Sequence, residues 1–169
     1  MSSFPKQQSE QRDFERLLRS ALAVIESVSD YSDVSERILF HKIFYSPQFT
    51  DRAEVTLWGG IRVGPAACGS ALGLAGTLVH EEYHLKQPLL WRTWSFWRGI
   101  LRREHTMKWL EWPAYRQQIS FLMAAARQGI PGAAVEAQDV LDSFRSHYGE
   151  PEDSVFLAQC GLSLSRLPP

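Results

Sequence analysis

"TLVHEEYHLKQ", residues 77–87, is the stretch on which the reading of this chain turns. His80 and His84 are four positions apart. On a helix they stand one turn apart on the same face, so two imidazoles can converge on one point. Glu81 is rotated about 100° from His80 and flanks that point instead of facing it. The flanks support a helix. Ser70 is placed to cap it, Ala71, Leu74 and Leu78 give it an apolar face through about Lys86, and Pro88 stops it. Leu78, Val79, Tyr83 and Leu85 make it a helix that can be mostly buried. There, an unpartnered histidine or glutamate would be costly.

Upstream, "AEVTLWGGIRVGP" changes period. Val55 and Leu57 alternate with polar neighbours, Gly59-Gly60 makes a turn, and Ile61 and Val63 alternate again, which predicts a β-hairpin. Before it, Phe14, Leu17, Leu18, Ala21, Val24 and Ile25 recur at three and four. This predicts a helix over about Arg12–Val28, behind a disordered tail over residues 1–10. A second helix is expected over about Val34–Phe44, closed by Pro47. Downstream, helices are expected over about Leu90–Arg103, Leu110–Arg127 and Ala133–His147. Pro113 is placed in a first turn, where its missing N–H is harmless. The tail from residue 151 to 169 carries no clear pattern. The expected fold class is therefore α+β: mostly helical, with a small hairpin or sheet ahead of the histidine helix.

Composition narrows the function classes. A chain of 169 residues with 44% hydrophobic residues can bury one domain-sized core. A net charge of −1 argues against nucleic acid as a partner. No apolar run reaches the roughly 18 residues a membrane span needs, and the polar start lacks a signal peptide's apolar core. A cytoplasmic location is expected. Cys68 and Cys160 are too few for a disulfide framework and read as free, buried thiols.

The residue types at 80, 81 and 84 suit metal-assisted hydrolysis. Two neutral imidazoles hold a zinc ion, and a glutamate beside it can take a proton from water that the ion has acidified to a pKa of about 7. A catalytic zinc needs a third protein ligand and one open position. The helix itself offers none, because position 87 is Gln and position 90 is Leu. Two candidates lie downstream. Glu111 falls in the first turn of a new helix, where the helix dipole favours an anion. His105 lies in the connection before it.

"HEEYHLKQ" followed by "LEWPAYRQQ" resembles the gluzincins, in which a His-Glu-x-x-His helix is completed by a glutamate from a second helix. It is most similar to the small minigluzincins, whose glutamate helix often reads Glu-x-x-Ala-Tyr, as Glu111, Ala114 and Tyr115 do here. The likeness covers about residues 53–127 and implies a single zincin-like domain over 11–150. It implies Zn2+ held by His80, His84 and Glu111, with Glu81 as general base acting on a peptide or protein substrate. The chain departs from the thermolysin-like pattern four residues after the zinc glutamate. Tyr115 stands where an aspartate would support a ligand histidine, which leaves Glu82, Glu104 and Asp139 as possible supports.

Tyr115 can also be read as a donor to the oxyanion of a tetrahedral intermediate, or as a half-buried helix tyrosine. His147 and Tyr148 are read as an ordinary helix end. Five of the six tryptophans fall between Trp91 and Trp112. Trp91, Trp94 and Trp97 recur every three, as a core stripe or as a hydrophobic partner surface. The main alternative to a zinc metallopeptidase is a non-catalytic binding or regulatory module on the same scaffold. The intact Glu81 argues for the enzyme.

Overall fold

The computed structural model describes residues 4–88, 108–151 and 153–162. Mostly helical, with one small mixed sheet ahead of the histidine helix, it is an α+β chain. It divides into two compact units, Met1–Pro88 and Leu89–Pro169. The expected helix over Leu90–Arg103, the stripe of Trp91, Trp94 and Trp97, and the residues Glu104 and His105 lie outside the described residues.

In the first unit, helix α1 (Phe4–Ser27) buries Phe14, Ala21, Leu22 and Ile25, the periodic face expected from the sequence. It begins at Phe4, where the sequence suggests a tail through residue 10. Helix α2 (Ser32–Leu39) packs on α1 through Val34 and Ile38 and ends five residues earlier than its pattern predicts. Ile43–Tyr45 is instead strand β1. Ile43, Phe44 and Tyr45 are strong strand formers. Their pairing partner is remote in sequence, so the local period gives no hint of it.

The hairpin forms as expected, from β2 (Ala53–Val55) and β3 (Ile61–Val63), paired antiparallel with Ala53 opposite Val63. The Gly59 N–H donates to the Thr56 carbonyl at 2.9 Å, and Gly59 has a φ of 77°, which any side chain would strain. β1 then adds in parallel to the other side of β3, giving the order β1-β3-β2. β3 is the inner strand, so the central register places Ile61 and Val63 fully in the core. Gly64 follows it where a Cβ would run into the Asp51 carbonyl.

A short 3-10 turn (Pro65–Ala67) leads to helix α3 (Ala71–Lys86). Ser70 caps it as the sequence suggests, its Oγ accepting from the Gly73 N–H at 2.9 Å. α3 packs against α1, α2 and β2, with Leu74, Leu78 and Val79 wholly buried.

The second unit is built on the packing of α4 (Lys108–Arg127) against α5 (Ala133–Tyr148). Ala114, Ile119, Phe121, Leu122 and Ala125 of α4 are buried, as are Ala137, Val140, Leu141 and Phe144 of α5. α4 starts at Lys108, two residues early, so Pro113 lies inside the helix and not in its first turn. The missing N–H there removes one helical hydrogen bond. The tail that carried no pattern forms a short helix, α6 (Ser154–Gln159). Asp153 caps it, accepting from the Phe156 N–H at 3.1 Å, and pairs with Arg116 of α4 at 3.3 Å.

Candidate metal centre

α3 is buried nearly all round. From Gly73 to Glu82 every residue is buried, and so is His84. The run includes four groups that can bind or move protons: His80, Glu81, Glu82 and His84. Burying such groups costs several kcal/mol in order of magnitude unless each has a partner. The helix repeat supplies one partnership directly. His80 and His84 turn their Nε2 atoms towards each other at 3.1 Å, with ring centroids 4.9 Å apart and planes at 65°.

That separation is slightly shorter than two nitrogens sharing one ion would have. Two nitrogens each about 2.0–2.1 Å from a tetrahedral zinc stand about 3.3–3.4 Å apart. Glu111, in the first turn of α4 and half-buried, completes the group. His80, His84 and Glu111 each offer one ligand atom, and the three atoms all lie within 4.8 Å of one another. Two imidazoles and a carboxylate form a donor set that suits a divalent metal ion and leaves a coordination position open. Glu111 is thus one of three residues that could hold a metal ion, whereas His105 falls outside the described residues.

Glu82, one of the supports considered for a ligand histidine, is engaged elsewhere. Its carboxylate accepts from Arg37 Nε of α2 at 2.7 Å and pairs with Lys86 at 2.9 Å. Arg37 also pairs with Asp33. The hydrogen bond to Glu82 raises the Arg37 guanidinium above its usual range, so the group stays charged. Asp139, a second such support, is exposed on α5. Gln87 also meets His84, its Oε1 standing 3.3 Å from His84 Nδ1. The available signal was its spacing, three positions after the histidine at the end of the helix.

Tyr115, one turn after Glu111, has its ring in an aromatic cluster. It stands edge-on to Phe144 at 5.1 Å and to Tyr148 at 6.3 Å. Trp112 joins the same cluster, 4.9 Å from Phe144. His147 is exposed, with Nδ1 2.7 Å from the Ser143 carbonyl, as expected of a helix end. Cys68 and Cys160 are unpaired and half-buried. Burial pushes both thiols up, which makes them poor nucleophiles. Among the described residues no helix is long and apolar enough to cross a membrane. No family model, curated protein or solved structure matches the chain.

Proposed function

We propose that the chain is a zinc-dependent hydrolase of the gluzincin type, a metallopeptidase that cuts a peptide or protein. The observation that carries this reading is the convergence of His80, His84 and Glu111, with Glu81 next to His80 on the same buried helix. Zinc held by those three residues would supply the Lewis acid that polarises a scissile carbonyl and acidifies a water.

The remaining chemistry belongs to the chain. Glu81 is rotated off the ligand face and stands beside it, the place for a base. It takes a proton from the attacking water and passes it to the leaving amine. Burial keeps bulk water from competing for that proton. Tyr115 is the proposed donor to the developing oxyanion.

The substrate strand is assigned to β2. The sequence suggests pairing with Val55–Leu57 or Ile61–Val63, but β3 is hydrogen-bonded on both sides and has no edge to offer. Among the described residues β2 is an edge strand, and it packs against α3. An extended peptide adding to that edge would run beside the histidine helix.

The test is metal content and turnover together. Wild type is expected to hold about one zinc per chain, the capacity of one three-ligand site. Glu81→Gln should keep the zinc and lose hydrolysis of a casein or peptide-library substrate by about 100-fold or more. Near-wild-type turnover in Glu81→Gln would remove Glu81 as the base. A chain that takes up no zinc on titration would remove the site.

A further inference from the structure

Gln87 sits where α3 ends. Its backbone is extended, with φ −70° and ψ 138°, and its N–H donates to the His84 carbonyl at 3.2 Å. That bond holds the Gln87 backbone one turn beyond His84. Its side chain then reaches back, placing Oε1 3.3 Å from His84 Nδ1. On the opposite side of the same ring, Nε2 faces His80 Nε2 at 3.1 Å.

An amide oxygen can only accept a hydrogen bond. With Oε1 turned to the ring, as it is here, a hydrogen bond between the two requires the proton on Nδ1. A neutral imidazole carries one proton, so Nε2 is left with its lone pair. A ligand nitrogen needs that form. We propose that Gln87 is a positioning residue for the metal: its amide oxygen holds His84 in the Nδ1–H tautomer and sets the ring's rotation, so that Nε2 is offered to the ion. The inference rests on the metal-site reading above and adds to it a residue that touches neither metal nor substrate.

The neighbouring carboxylate has two cations of its own. Glu82 is drawn to Arg37 at 2.7 Å and to Lys86 at 2.9 Å. Gln87 gives His84 Nδ1 a neutral acceptor, where a carboxylate would be the more basic choice. A neutral acceptor pulls less on the Nδ1 proton and leaves Nε2 a weaker donor to the ion. The choice has a direction that can be measured: a carboxylate at position 87 should hold zinc at least as tightly as the amide.

The experiment uses the full chain as wild type, Gln87→Met, Gln87→Glu and His84→Ala. Methionine keeps the length of the side chain and removes the oxygen. Glutamate keeps an acceptor at the same reach. Zinc affinity is read by competition with a chromophoric chelator. The His84 tautomer is read from histidine nitrogen shifts in the metal-free protein at about pH 8, where imidazoles are neutral. Gln87→Met should bind zinc about 10–100-fold more weakly than wild type and shift His84 towards the Nε2–H tautomer. Gln87→Glu should bind within about threefold of wild type or more tightly, with the Nδ1–H tautomer kept.

The proposal is overturned if Gln87→Met binds zinc as wild type does, or if its His84 tautomer is unchanged. It is also overturned if Gln87→Glu binds as weakly as Gln87→Met, the result expected when any change at the helix end merely damages the fold. His84→Ala separates this failure from failure of the site. Zinc lost in His84→Ala but kept in Gln87→Met sinks the role of Gln87 alone, whereas a wild type that binds no zinc sinks both.

Discussion

Helices α3 and α5 are both 16 residues long, and they bury them in different patterns. α5 buries Ala133, Ala137, Val140, Leu141, Phe144 and Arg145, a stripe at three and four, and leaves its other face in solvent. Its one buried charge, Arg145, is held by Asp142 at 3.3 Å and Glu150 at 3.1 Å. α3 buries an unbroken run from Gly73 to Glu82, then His84, and includes five polar side chains in that total. A helix that only fills a core needs an apolar stripe. One that buries polar groups all round needs a specific partner for each. In α3, Thr77 donates to the Gly73 carbonyl at 2.9 Å, Glu82 takes Arg37 and Lys86, and the two histidines face each other. Packing explains α5, whereas α3 is explained by what its polar groups do.

That contrast can be broken at three points. Phe144 is the largest anchor of the α5 stripe, wholly buried and in ring contact with Trp112, Tyr115 and Tyr148. Phe144→Ala should cost about 3–5 kcal/mol in denaturant unfolding, the usual range for a buried aromatic. A loss under about 1 kcal/mol would mean that the stripe is not the core of its unit.

Glu82→Gln tests the other side of the comparison. The amide keeps the shape and removes the charge that Arg37 and Lys86 face. Arg37 is partly exposed and can turn to water, so the expected loss is about 1–3 kcal/mol and not the full cost of stranding a buried ion. No loss of stability would show that the buried carboxylate is not held by its two cations.

The smallest effect is expected on the outer face of α5. Val135 is exposed, and Val135→Thr should change stability by less than about 0.5 kcal/mol. A larger loss would give α5 a buried outer face and erase its difference from α3.

The two helices also differ in how they could be read beforehand. The boundaries of α5 follow from its period, and so does the C-terminal end of α1, because a stripe at three and four is a local signal. The ends of α3 were legible from Ser70 and Pro88, each acting on the backbone within a few residues. β1 was not legible. Ile43–Tyr45 continues the apolar pattern of α2 and becomes a strand only because β3 lies alongside in parallel register. The position of Pro113 was misjudged by the two-residue uncertainty of a helix start.

The sequence by itself determined that His80 and His84 share a face, that Glu81 stands off it, and that Gln87 follows one turn later. All three are consequences of 3.6 residues per turn, which needs no tertiary context. It also narrowed the third member of the site to Glu111 or His105. The tertiary structure alone decided that Glu82 goes to an arginine on another helix and that the Gln87 oxygen turns to His84. These depend on which side chains the packed helices bring within a few ångströms, and a repeat along one helix carries no information about its neighbours.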